Sequence, residues 1–262
     1  MNIVVLFTLP IWTFNKIIPS GCEDFHANSD IRILWGFRLA KVFPNHFSIV
    51  CGSGTYVEGN YLQNKYQWKD TVGPWEERPG HFNDIWNYWS DDGIGYFEYL
   101  QLTEDLGTLP VWVFNAGIRR HDKINTSNIA PYVQDALDGI EFAKGSPRSK
   151  WGSVRAAMGH PKPFDLRFVA IGNEDCGLFN YEGNYLRFHD AIRYAYPDIK
   201  IISNCDASTK PLNHPADLFD YHIYTDSNGM FSKSTQFDHT SRSGPKAFVS
   251  EYAVWRKDSI FP

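Results

Sequence analysis

Leu166-Arg167-Phe168-Val169-Ala170-Ile171-Gly172-Asn173-Glu174 is the stretch on which the fold turns. Five of its first six residues are apolar, with no polar alternation. A run this short and this uniform fits a strand covered on both faces, the burial that a parallel sheet imposes. Gly172 ends the run, and an amide and a carboxylate follow at once. A carboxylate at the end of a buried strand is costly to desolvate unless it has partners or a task. In β/α folds the C-terminal strand ends carry the active site.

Working outward, five more apolar runs share this character: Phe47–Val50, Pro110–Phe114, Ile199–Ser203, Leu218–Tyr224 and Lys246–Ser250. Helical patterns lie between them. Tyr96–Leu106 carries apolar residues at helical spacing and meets Gly107, a C-cap residue. Asn128–Lys144 aligns Ile129, Val133, Leu137 and Ile140 on one face and stops at Gly145. Asn184–Tyr196 ends before Pro197. The β-α-β-α rhythm predicts a parallel sheet with crossover helices. No composition break divides residues 47–262, which read as one partial (β/α) barrel domain. Residues 1–46 fall outside the rhythm as a divergent segment, with Ile3–Leu9 readable as a strand and Ile31–Phe43 as a helix.

The second carboxylate of note is Glu251, which follows Lys246–Ser250 as Glu174 follows its own strand. Opposite strands of a barrel aim two such groups at one pocket, and a carboxyl pair there suits glycoside hydrolysis. A retaining mechanism sets the pair about 5–5.5 Å apart and an inverting one about 6.5–9.5 Å. The anion Asp175 beside Glu174 is expected to raise the pKa of Glu174, as a general acid requires. A phenol hydrogen bond from Tyr224 or Tyr252 is expected to keep Glu251 ionised. His222 alternates with Tyr224 along its strand and either lines the pocket or is a hydrogen-bonded core histidine. Trp75 either stacks on a sugar or anchors its long loop. Glu58 and Glu98 read as structural residues.

Composition narrows the classes of partner. The chain has 262 residues, 43% of them hydrophobic, and a formal charge of −5. That composition supports a full core and excludes a disordered tail. No basic run points to nucleic acid. The aromatic content of 16% is compatible with a carbohydrate ligand and equally with an ordinary core. Cys22, Cys51, Cys176 and Cys205 form no zinc motif. Cys176 lies within reach of Cys205 on the next strand, a disulfide the sequence permits without requiring. The glycines of CGSGTYVEG (51–59) lack phosphate-loop spacing, no GxSxG elbow or HExxH pair occurs, and no metal or organic cofactor is expected. The apolar stretch Ile3–Phe14 is too short to span a membrane. It lacks a preceding basic residue, is broken by Pro10, and is therefore a poor signal peptide. Asn125-Thr126-Ser127 is a single glycosylation sequon.

Longer stretches carry a resemblance. These are GNEDCG (172–177), NYEGNY (180–185), KIISNCD (200–206), DYHIYT (220–225) and SGPKAFVSEYA (243–253). Upstream, residues 56–107, PVWVFNAGI (110–118) and residues 151–174 continue it. Over roughly residues 54–254 the chain resembles plant α-L-arabinofuranosidases of glycoside hydrolase family fifty-one. The resemblance implies a (β/α)8 barrel, retaining chemistry, no cofactor, an arabinose-containing polysaccharide or oligosaccharide as substrate, and an extracellular or cell-wall location. It implies Glu174 as acid/base, Glu251 as nucleophile, Tyr224 positioning the nucleophile, and Asn173 on the sugar 2-hydroxyl.

The chain also departs from the family. Thr55 stands at a sugar-binding position where the family has Cys or Asn after FPGG. The family's first-strand Glu has no match in residues 1–46, and its eighth strand and flanking β-sandwich modules have no counterpart. The expectation is therefore an incomplete barrel of about six strands whose activity the truncation threatens. Two other readings stay open: another retaining barrel glycosidase of endoglycanase type, and an inactive remnant.

Overall fold

The structure, a computed structural model, describes residues 48–51, 59–85 and 87–254. The readings made for residues 1–46, Thr55 and Glu58 lie outside the described residues. In chain order the elements are β1 (Ser48–Cys51), β2 (His81–Asn83), β3 (Tyr88–Ser90), α1 (Tyr96–Asp105), β4 (Leu109–Phe114), α2 (Ala130–Lys144) and α3 (Lys150–Ala157). Then follow β5 (Phe168–Ile171), α4 (Tyr181–Ala195), β6 (Lys200–Ser203), β7 (Leu218–Thr225), α5 (Ser227–Ser232) and β8 (Lys246–Val254).

Six strands form one sheet in the order β1-β4-β5-β6-β7-β8, and every neighbouring pair is parallel. Each strand is laid beside its predecessor, the sequential order of an α/β barrel wall, so the described sheet is an incomplete barrel. The short hairpin β2–β3 stands apart.

Alternation along the strands sorts the side chains into two cores. Trp112, Phe114, Val169, Ile171 and Ile201 face the helices and join a large cluster with Tyr96, Ile140, Phe142, Tyr185 and Phe188. Val111, Val113, Ala170, Ile202 and Phe248 face the other way and form a smaller cluster inside the curl of the sheet. The helix-side core is aromatic at its centre, where the Tyr96 and Trp112 rings lie 4.1 Å apart. Helix α2 approaches β4 so closely that a Cβ on Gly139 would sit 2.9 Å from the Phe114 ring. Removing Trp112 to alanine would cost about 3–5 kcal/mol on the scale of buried aromatic truncations.

Helix α3 escapes the apolar-periodicity reading because its most buried large side chain is charged. Arg155 is fully buried and donates to the carbonyls of Phe142, Ala143 and Gly145. It caps the negative end of α2 with a cation, satisfying carbonyls that the helix leaves without partners.

One irregularity decides where the second carboxylate points. β8 pairs with β7 from Lys246 to Val254, and the register shifts between Tyr221 and His222. Val249 lies opposite Tyr221 and Glu251 opposite His222, so Ser250 is an inserted residue. Strict alternation from the inward Phe248 would turn Glu251 toward the helices. The bulge restores it to the inside, together with Ser250. Glu251 is thus not at the end of a strand, as the run Lys246–Ser250 suggested, but within one.

Candidate active site

Glu174 is presented by a tight turn after β5. Gly172 and Glu174 both have positive φ, 81° and 54°. A Cβ on Gly172 would lie 2.6 Å from both Asn204 and Asp175, so this position demands glycine. Asn173 is buried, and its N–H donates to Asp175 Oδ2 at 3.1 Å. The Tyr181 hydroxyl donates to the Ile171 carbonyl and accepts from the Asn204 N–H, joining the ends of β5 and β6 below the turn. The disulfide Cys176–Cys205, with Cα atoms 5.0 Å apart, fastens the same two loops two residues beyond Glu174.

Glu251, His222 and Tyr224 come from β8 and β7. The Tyr224 hydroxyl donates to Glu251 Oε2 at 2.5 Å. His222 Nδ1 lies 2.9 Å from Glu174 Oε1 and 3.7 Å from Glu251 Oε2. On the far side of the ring, Nε2 lies 3.0 Å from Asp220 Oδ2 and 2.8 Å from Ser250 Oγ. One ligand atom from each of Glu174, His222 and Glu251 lies within 4.8 Å of the others. The carboxylate oxygens of the two glutamates therefore approach within 4.8 Å. This is closer than the roughly 6.5 Å from which inverting pairs begin. The trio has the residue types of a cation site, and the His222 N–H already brings a positive charge between the carboxylates.

The ionisation pattern corrects both expectations made from neighbours in sequence. Glu174 is held below the ordinary carboxylate range, first by its hydrogen bond from His222. Asp175 is buried beneath the turn and receives the Asn173 N–H. The His222 hydrogen bond, not the neighbour in sequence, sets the direction for Glu174. Glu251 is pushed up by burial, against which the His222 charge and the Tyr224 hydrogen bond work only in part. Burial alone would lower His222, but hydrogen bonds to Asp220 and Glu174 prevail and push it up to about 10.

The structure thus brings Glu174, Glu251, His222 and Tyr224 together, and places Asn173 beside them in the β5 turn. Thr55 lies outside the described residues. Trp75 does not serve as a loop anchor, since 68% of its surface is exposed. Among the described residues no ring contact or hydrogen bond joins it to the carboxylates. Glu98 has a structural place, pairing with Arg78 at 2.7 Å and accepting the Gly95 N–H at the start of α1. Asp220 and Ser250 escaped the sequence reading. Asp220 was within its reach, because it alternates with His222 and Tyr224 on one face. Ser250 lies on the inner face with Phe248 by plain alternation, and it is Glu251 that needs the bulge to join it.

Comparison with known proteins follows the same lines. Residues 45–242 match the family profile "Alpha-L-arabinofuranosidase 1 domain". The chain is 64% identical over 206 residues to α-L-arabinofuranosidase 2 of Arabidopsis thaliana, covering 79% of this chain and 31% of that protein. It is 40% identical over 205 residues to an extracellular exo-α-L-arabinofuranosidase of Streptomyces chartreusis, covering 73% and 25%. An arabinose-bound α-L-arabinofuranosidase structure of family fifty-one superposes with a TM-score of 0.76 at 33% identity, over 84% of this chain and 35% of that one. The Thermotoga maritima enzyme, at 21% identity and a TM-score of 0.63, shares the fold. The chain spans about a third or less of the length of the curated relatives quoted.

Proposed function

Because the chain belongs to the α-L-arabinofuranosidase family, we propose that it carries the catalytic pair of a retaining glycosidase that removes terminal α-L-arabinofuranosyl residues from arabinoxylan- or arabinan-type polysaccharides. The observation that carries this reading is the approach of the Glu174 and Glu251 carboxylates to within 4.8 Å on the inner face of a parallel sheet. That spacing is shorter than the roughly 6.5–9.5 Å of inverting pairs, whose mechanism seats the attacking water between the carboxyls. Glu251 attacks the anomeric carbon while Glu174 protonates the leaving oxygen. An arabinosyl ester forms on Glu251, and Glu174 then takes the proton of the incoming water. Tyr224 orients Glu251 through its hydroxyl. Asn173 binds the sugar 2-hydroxyl, a contact that strengthens in the transition state. Thr55 is assigned a further contact with the same sugar, and Trp75 an outer stacking contact.

The six strands are, on this reading, an arc of an eight-stranded barrel, with residues 47–262 as the catalytic part. The substrate class and an extracellular, cell-wall setting are supported by the names of the relatives. Proton nuclear magnetic resonance during hydrolysis of an aryl α-L-arabinofuranoside tests the proposal. Initial release of α-arabinose supports it. Initial release of β-arabinose, or turnover only of other aryl glycosides, refutes it.

A further inference from the structure

A general acid that opens the reaction must hold a proton, yet Glu174 rests against a positively charged group that favours its ionised form. The hydrogen bonds around His222 show where the proton is kept. Ser250 Oγ donates to Asp220 Oδ1 at 2.5 Å and, with its one hydrogen so engaged, accepts from His222 Nε2. Asp220 Oδ2, 3.0 Å from the same nitrogen, is also an acceptor. Nε2 therefore carries a hydrogen. On the other side, Nδ1 faces Glu174 Oε1 at 2.9 Å and Glu251 Oε2 at 3.7 Å, both acceptors, and carries one as well. The ring is an imidazolium wedged between three carboxylates.

We propose, building on the function assigned above, that Asp220 and Ser250 are positioning residues that act through His222, holding its ring so that Nδ1 stores the proton which Glu174 delivers to the leaving oxygen. In the first half-reaction the Nδ1 proton moves to the ionised Glu174 at Oε1, and Glu174, so protonated, passes one proton to the departing oxygen. Glu251 meanwhile forms its bond to the anomeric carbon. His222 is left neutral, with Nε2–H still bound to Asp220. In the second half-reaction water attacks the anomeric carbon, and its proton passes through Glu174 back to Nδ1. Glu251 leaves as a carboxylate. His222 plus the two glutamates carry a net charge of −1 at every stage, because the imidazolium charge disappears as the Glu251 charge is consumed. No charge accumulates in a half-buried site where it would be poorly solvated.

The groups facing His222 are Asp220 from β7, Ser250 and Glu251 from β8 and Glu174 from the β5 turn, with Arg120 acting on Glu174 from the loop after β4. Among them the anions outweigh burial and support the cation, consistent with a histidine pushed up to about 10.

The test uses the full chain labelled with ¹⁵N-histidine, in wild type, Asp220→Asn and Ser250→Ala. The imidazole resonances of His222 are followed with pH, beside pH profiles of kcat/KM on an aryl arabinofuranoside. The wild-type ring should stay doubly protonated well above pH 7. Asp220→Asn should lower its titration tenfold or more in proton affinity and carry the alkaline limb of kcat/KM down with it. Substrates with poor leaving groups should lose most. Ser250→Ala, which removes only a hydroxyl, should move both in the same direction by less, and it serves if Asp220→Asn fails to fold. A neutral His222 at pH 7 in wild type overturns the proposal. So does an Asp220→Asn variant whose rate falls equally at every pH with the alkaline limb unmoved. Absence of any arabinofuranoside turnover would instead strike the function assigned above, while the imidazole titration would still decide the relay.

Discussion

The two glutamates reach one pocket from regions built on opposite principles. Glu174 stands on a turn whose backbone is forced into the left-handed region and tied down by a disulfide, a phenol bridge and the buried Asn173. Its side chain is left 58% exposed. Glu251 stands inside a regular strand, redirected by a single inserted residue, and its side chain is only 14% exposed. The loop-borne group is open to solvent and paired with a cation, so its ionised form is favoured. The strand-borne group is walled in, so its charge costs more. Taken alone, these environments favour the reverse of the resting states that an acid and a nucleophile need, and the proposed proton store on His222 is what reconciles the pair with its roles.

The largest expected effect separates the two regions by chemistry. Glu251→Ala should reduce turnover by about 10⁴-fold or more, since it removes the nucleophile itself. Azide should restore activity with inverted product. Glu174→Ala should cost about 10²–10⁴-fold on poor leaving groups and far less on activated aryl glycosides. Equal leaving-group sensitivity in the two variants would erase the distinction. Deleting Ser250 sharpens it from the strand side. With the inserted residue gone, plain alternation from the inward Phe248 still places Glu251 inside, so activity should fall far less than in Glu251→Ala. A deletion variant as inactive as Glu251→Ala would show that removing the inserted residue does more than regularise the strand.

The loop side is broken through its disulfide. Cys176 and Cys205 are 29 residues apart. Loss of that link should destabilise the fold by about 3–4 kcal/mol on the loop-entropy relation. Measured by denaturant unfolding, Cys176→Ser with Cys205→Ser should show this loss together with a lowered kcat, because the Glu174 turn is loosened. Stability lost with kcat unchanged would show that the turn needs no clamp. The smallest effect is a pH slope. His222 is raised in the folded state to about 10 from an ordinary 6.5. Its contribution is therefore complete below about pH 6.5 and is lost as pH rises through about 10. The thermal midpoint should decline between pH 7 and pH 10, and His222→Gln should flatten that decline.

The parallel sheet was legible because its strands are covered on both sides and spell uninterrupted apolar runs, as in Leu166–Ile171. Helices α1, α2 and α4 followed from their periodicity. What stayed hidden was whatever breaks a period. Helix α3 buries an arginine where the pattern asks for an apolar residue. The hairpin strands β2 and β3 are three residues each, too short for alternation to register. Glu174 and Glu251 were visible as carboxylates following buried runs, and His222 with Tyr224 by alternation. The direction of the two pKa shifts was not visible, because it depends on His222 arriving from another strand. The inward direction of Glu251 could not be placed by any reading that assumes strict alternation along its strand.

On the proposed mechanism Glu251 is the group that bonds to the sugar, while Glu174 handles the proton. Incubating the chain with an activated 2-deoxy-2-fluoro-arabinofuranoside and mapping the adduct by peptide mass spectrometry tests this most directly. One fluoroarabinosyl group is expected, on the peptide bearing Glu251, and none in Glu251→Ala. An adduct on Glu174, or hydrolysis without any adduct, would contradict it.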